Sequence, residues 1–121
     1  MKKQQATAYF RDGEVQIALF VYIEEQVQVC YAPELDLYGY GTGEAEALAS
    51  FAVVLDNYLD YVTTHQTLDR DLKRLGWAVN AETRLYTAPP LHELLRRNTD
   101  FAAILQQRPF RKLDRLVPLA A

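Results

Sequence analysis

The sequence predicts an α+β fold, an antiparallel sheet of three to four strands with one long helix packed across it. A short second helix and a mixed C-terminal extension should follow. Three observations predict it. Val15 to Ile23 (VQIALFVYI) is β-branched and aromatic, and from Ile17 onward it is apolar on both faces, the composition of a central strand covered on two sides. Val27 to Phe51 then runs strand, proline stop, glycine-punctuated short strand and helix start. Finally, Leu48, Phe51, Ala52, Leu55, Leu59 and Val62 recur at three- and four-residue steps, the stripe of a helix that closes a core.

Taken in order, Ala6 to Phe10 can form a short strand. Arg11-Asp12-Gly13-Glu14 follows as a turn, because glycine tolerates positive φ. After the central strand, Glu24-Glu25 makes the next turn. Gln26 to Tyr31 alternates, with Val27, Val29 and Tyr31 on one face and Gln26, Gln28 and Cys30 on the other. Pro33 ends this strand, since proline cannot donate to a ladder. Tyr38 to Gly41 is a brief strand whose glycines permit a bend. Thr42 is the expected N-cap of a helix running to about Thr63, with Glu44 and Glu46 in its first turn, where the helix dipole favours negative charge.

Leu68 to Leu75 reads as a shorter helix capped by Thr67 and stopped by Gly76, with Trp77 laid over the core edge. Thr83 to Ala88 is a candidate strand. Pro89-Pro90 sets up a helix from Leu91 to Arg97, and Thr99 to Gln107 supplies further helical turns before Pro109. Arg111 to Leu119 reads as an extended edge strand or a docking arm, because Pro118 disfavours a helix reaching its end. Residues 1–77 thus form a β-β-β-α body with a short second helix. Residues 78–121 form an extension expected to dock on the body or on a second subunit.

At 121 residues, half of them hydrophobic and 24% charged, one folded domain is expected. No apolar run approaches the roughly 20 residues of a bilayer span, and the basic start Met1 to Gln5 leads into no signal-like apolar region, so a cytoplasmic protein is the default. Cys30 is the single cysteine, which excludes an internal disulfide, and it reads as a buried small hydrophobe. The net charge of −3 hides an asymmetry. Met1 to Pro90 holds 7 basic and 13 acidic residues, a balance of −6, and Leu91 to Ala121 holds 6 and 3, a balance of +3.

Catalytic patterns are weak. Glu34 and Asp36 are close in sequence and Glu44 could approach from the helix start, as two-metal hydrolysis requires, yet acids on turns and caps are ordinarily solvated. His65 and His92 lack partners at metal-ligand spacing, Ser50 lies mid-helix, and the Gly39, Gly41, Gly43 run has no phosphate-loop lysine. No enzyme activity, metal or cofactor is expected.

One segment resembles a known family. Tyr31-Ala32-Pro33-Glu34-Leu35, then Gly41-Thr42, then Glu44-Ala45-Glu46-Ala47, is similar to the pattern of HicB-like antitoxins. The resemblance covers roughly Val15 to Tyr61 and implies a three-stranded antiparallel sheet with one helix across it, a truncated ribonuclease-H-like arrangement. Family members often neutralise a small HicA-type messenger-RNA-cutting toxin and repress their own operon through a C-terminal DNA-binding unit. Residues after Gly76 show no convincing helix-turn-helix, and Pro109 and Pro118 interrupt a ribbon-helix-helix. The Asp36-Leu37-Tyr38-Gly39-Tyr40 insert and the Leu75-Gly76-Trp77 ending look more like an uncharacterised branch of HicB-like proteins than like the paired antitoxins.

Two functional expectations result. One is a non-catalytic interaction protein, for which the resemblance implies an antitoxin of a type II toxin-antitoxin system that sequesters a small RNA-cutting toxin, binding a basic partner through Glu34, Asp36, Tyr38 and Tyr40. The alternative is a nucleic-acid-binding regulator acting through Arg96, Arg97, Arg108, Arg111, Lys112 and Arg115. A homodimer is expected, since exposed edges on so small a sheet invite pairing.

Overall fold

The computed structural model describes residues 14–80 and 82–119. The expected strand Ala6 to Phe10 and most of the turn after it lie outside the described residues. The chain is α+β. Strands β1 (Glu14–Glu24), β2 (Val27–Ala32), β3 (Leu37–Gly41) and β6 (Phe110–Pro118) form one antiparallel sheet in the order β3-β2-β1-β6. Helix α1 (Glu44–Thr64) packs across it, followed by α2 (Leu68–Arg74). A second small sheet pairs β4 (Ala78–Asn80) with β5 (Leu85–Thr87), and α3 (Leu91–Arg97) and α4 (Thr99–Gln107) precede β6.

The local chemistry explains the joints. Glu25 and Gln26 take φ of 51° and 71°, the two-residue primed turn whose twist matches its flanking strands. After Ala32 the chain turns through Pro33, and the Leu35 and Asp36 N–H groups donate to the Ala32 carbonyl at 3.3 and 2.7 Å. Gly76, at φ +96°, ends α2 as expected. The Trp77 indole then reaches back and donates to the Glu34 carbonyl at 2.8 Å, tying this connection to the β2–β3 turn.

One capping expectation is corrected. Gly43, in extended backbone, is the N-cap of α1, and Thr42 is not. The Glu46 carboxylate instead accepts from the Thr42 N–H at 2.9 Å and from its hydroxyl at 2.8 Å, reversing the expected donor and acceptor. These bonds hold the Glu46 carboxyl below its ordinary range. Thr67 does sit at the N-cap of α2, but its side chain makes no cap bond.

Two core layers meet at β1. Val15, Ile17, Leu19 and Val21 project to one side, with Cys30 and Ala32 of β2, and Ala47, Phe51 and Leu55 of α1 close over them. Leu48 and Leu59 pack at the margin of this layer. Ala18, Phe20 and Tyr22 project to the other side with Val29 and Tyr31, and Phe101 of α4 covers them. The Phe101 ring meets Phe20 and Tyr31 edge-on at 5.1 and 5.0 Å. The alternation in β2 is therefore as the sequence predicts, with Cys30 on the α1 side. The C-terminal extension supplies the cover for the second face.

The same extension adds a fourth strand to the three that the family resemblance implies. β6 pairs with β1 from Glu14↔Pro118 to Tyr22↔Phe110, so Arg111 to Leu119 reads correctly as an edge strand. β4 has no counterpart in the sequence reading. Three residues are too short to show a period, and the pairing with β5 alone defines them.

Helix α1 lies close on β3. A Cβ at Gly39 would come within 2.6 Å of the Ala47 carbonyl oxygen and would collide with the Phe51 backbone nitrogen. Gly41 meets the backbone of Glu46 and Ala47 as closely. Such contact requires residues without side chains. Gly39→Ala should therefore destabilise the chain by about 3 kcal/mol or more, as overpacking against backbone does. Gly43→Ala, where nothing lies within 4 Å, should cost no more than about 1 kcal/mol. Urea denaturation of the two variants checks the contrast.

Candidate functional site

The surface of interest is the β3 side of the α4-covered face. Register sets two rows of side chains across the sheet. Phe110, Tyr22, Val29 and Tyr40 form one, and Lys112, Phe20, Tyr31 and Tyr38 the other. Helix α4 covers the middle of both rows. Tyr22 and Val29 are buried, while Tyr38 and Tyr40 at the β3 margin are 37% and 54% exposed. The Tyr38 ring stacks on Tyr31 at 4.2 Å and lies parallel to Tyr40, 1° apart in plane at 6.1 Å. Three tyrosines thus form a continuous stack that starts in the core and ends in solvent.

Asp36 holds the inner end of that stack. It occupies the exposed turn before β3 at φ 56°, and Tyr31 Oη donates to its carboxylate at 2.8 Å. Asn98 Nδ2 donates to the same Tyr31 oxygen at 3.0 Å, while Asn98 Oδ1 accepts from the Phe101 N–H and caps α4. Burial first, and then the Asp36 carboxylate, push the Tyr31 phenol well above its ordinary range. Tyr38 is raised too, by burial and by Asp36, so both rings are neutral donors at physiological pH. A cleft of about 380 Å³ opens beside Asp36, with Tyr31, Arg74, Arg97, Asn98 and Asp100 in its walls. Tyr31 and Asn98 escaped the sequence reading as site residues. The signal for Asn98 is its place immediately before Thr99-Asp100, where a side chain able to cap a helix is favoured.

Glu34 parts company with the other three expected contacts. Strand β2 pairs with β1 only from Phe20 to Glu24, so the β1 edge beyond is left open where the chain turns at Pro33. Glu34 Oε2 closes it by accepting the Ala18 N–H at 3.1 Å. Oε1 is sealed from solvent and has no hydrogen-bond partner among the described residues. Burial outweighs the hydrogen bonds and the nearby Lys112, and pushes this carboxyl up to about 7. Glu34 is therefore part of the fold's wiring, with one carboxylate oxygen on β1 and the other sealed from solvent. Nor do the three acids of the two-metal hypothesis converge. Glu34 turns to β1, Asp36 to Tyr31, and Glu44 to Arg111.

The six basic residues of the alternative reading do not form one patch. Arg96 pairs with Glu93 on α3. Arg97 donates to the Leu75 and Arg74 carbonyls at 3.1 and 3.4 Å, capping the end of α2. Arg108 donates to the Ile23 carbonyl at 3.0 Å, taking the place that Pro109 cannot fill in the β1–β6 ladder. Arg111 grips Glu44 through two bonds of 3.0 and 2.8 Å. Lys112 pairs with Asp114 at 3.1 Å on the opposite face of β6, and Arg115 stands opposite Ile17. No helix among the described residues is long and apolar enough to cross a membrane.

Two predictions arise from these buried groups. A carboxyl raised from 4.5 to about 7 by folding takes up a proton that the unfolded chain releases. Its contribution is most favourable below pH 4.5 and declines as pH rises through 7, by up to about 3 kcal/mol. Glu34→Gln should flatten that decline and raise stability at pH 8 relative to the unaltered chain, as read by denaturation at a series of pH values. Burial likewise pushes the Cys30 thiol up to about 11, so a thiol reagent should label it only as fast as the chain unfolds.

Comparison with known proteins finds no matching family model, no matching curated protein and no matching solved structure.

Proposed function

We propose that the chain is a non-catalytic interaction protein of HicB-like type that captures a small basic protein, as an antitoxin captures an RNA-cutting toxin. The observation that carries this reading is the Tyr38–Tyr40 pair, parallel, exposed and backed by the buried Tyr31. Large aromatic rings held rigid at a surface are the usual anchors of protein interfaces, because they bury much area with little loss of side-chain freedom. Asp36 beside them, and the acidic balance of the first 90 residues, favour a partner of positive charge. The divergence of Glu34, Asp36 and Glu44 supports binding rather than hydrolysis. A cytoplasmic site of action belongs to the same proposal. Nucleic-acid binding through the basic extension has less support, since five of its six cations already bond within the chain.

The test uses the immobilised full chain and native-host extract. The unaltered chain should retain a small basic protein whose expression alone arrests growth, and co-expression of the chain should relieve that arrest. The double substitution Tyr38→Ala with Tyr40→Ala should weaken capture by about 30-fold or more, the loss of one or two interface anchors, with an unchanged circular dichroism spectrum. Undiminished capture by the double variant rejects the tyrosine surface. Retention of RNA or DNA in place of protein favours the alternative.

A further inference from the structure

The outer edge of β6 carries a pattern that the partner-binding surface does not use. The direction of its backbone groups can be worked out from the ladder. The Ala18 N–H bonds Glu34 on the β2 side of β1, so Ala18 and the other even-numbered residues of β1 turn their backbone groups away from β6. The β1–β6 ladder is therefore made by Arg111, Leu113, Arg115 and Val117. The N–H and C=O groups of Phe110, Lys112, Asp114 and Leu116 point outward. The opposite edge of the sheet supports this assignment. There the same alternation turns the Tyr40 N–H outward, and Ser50 Oγ of α1 accepts it at 3.1 Å. Among the described residues nothing comparable covers β6. Among the described residues its only strand partner is β1.

The four outward residues read Phe110, Lys112, Asp114 and Leu116, and their side chains share the α4-covered face. This order is complementary to itself when reversed. A two-fold axis at Leu113 sets Phe110 opposite Leu116 of a second copy and Lys112 opposite its Asp114, and then repeats both pairs. Phe110 and Leu116 are 43% and 51% exposed, an unusual state for two large apolar side chains on one edge strand. Lys112 and Asp114 already pair along the strand at 3.1 Å, so the second copy would complete a square of alternating charge. Shifting the axis by one residue either way sets Asp114 against Asp114 or Lys112 against Lys112. On the other face Arg111 meets the partner's Arg115, and that contact is eased because Glu44 holds Arg111 in an ion pair. Pro118, which turns outward like the other even-numbered residues, has no N–H to offer and ends the pairing segment on that side.

We infer that the edge of β6 is a homodimer interface, in which two copies pair their β6 strands antiparallel about Leu113 and join two four-stranded sheets into one of eight. The occupant is a second copy of this chain because the strand is complementary to its own reverse in both charge and apolar pattern. This inference is independent of the proposed toxin partner, whose surface lies at the far β3 margin.

Sedimentation of the full chain at tens of micromolar tests it, together with two sets of variants. The unaltered chain should run as a dimer. Lys112→Asp alone sets acid against acid across the axis and should shift the chain to monomer. The double exchange Lys112→Asp with Asp114→Lys restores the alternation and should restore the dimer. Leu113→Cys, on the axis itself, should give an oxidised, reducible dimer, because Cys30 is buried and does not compete. A monomeric unaltered chain overturns the inference. So does a dimer that persists in Lys112→Asp, or a Leu113→Cys chain that fails to cross-link while dimeric.

Discussion

The structure is organised around one strand that cannot face water. Between Val15 and Tyr22 only Gln16 of β1 escapes full burial, so the strand must be covered on both faces and along both edges. At roughly 25 cal/mol per Å² of apolar surface removed from water, a run of this kind dominates the stability of so small a chain. Each covering element can be understood as an answer to it. Helix α1 seals the Val15–Val21 side, and α4 brings Phe101 onto the Ala18–Tyr22 side. β6 occupies one long edge. β2 occupies only part of the other, and the Glu34 carboxylate satisfies the Ala18 N–H that β2 leaves open. An unpaired N–H at such a place would cost about 1–3 kcal/mol, so a buried acid is tolerated there despite its raised proton affinity.

The two faces are not covered equally, and that inequality creates the candidate site. α1 has 21 residues and spans the sheet at length. α4 has nine, so it extends only about 14 Å. It covers Phe20 and Tyr31 at the middle of the sheet and leaves the β3 margin bare. The aromatic residues there are the outer part of the same layer that packs under Phe101, which is why Tyr38 and Tyr40 are stacked and still exposed. β3 is otherwise a poor place for pairing, since α1 sits on its glycines and Ser50 takes the Tyr40 N–H. Its side chains, and not its backbone, are what it offers a partner. β6 is the reverse case, with outward backbone groups that no described strand pairs and side chains arranged to suit their own mirror order.

Several elements were legible in the sequence because their signals are local. The two-sided apolar run of β1, the alternation in β2, the proline stop at Pro33, the glycines of β3 and the stripe of α1 each depend on neighbours within a few positions. The pairing of Tyr38 with Tyr40 on one face was readable from a period of two. Thr42 was misread because Thr before an acidic stretch suits two arrangements, and only the reach of Glu46 back to Thr42 distinguishes them. Glu34 was misread for a different reason. A carboxylate in a turn after proline is usually solvated, and its true partner is an N–H 16 residues earlier whose need arises only when β2 stops short of it.

The amino-acid sequence by itself determined the helices and every long strand but β6, which it left as an edge strand or a docking arm, and that β1 needs cover on both sides, because those properties follow from side-chain periodicity and backbone restriction; β4 is defined by its pairing alone. Tertiary structure alone decided that β6 lies beside β1, that α4 rather than another subunit shields the second face, and that five of the six basic residues are spent on carbonyls and carboxylates within the chain. Those outcomes depend on which long-range pairing satisfies the most buried backbone groups and apolar area together, and no short window of residues contains that comparison.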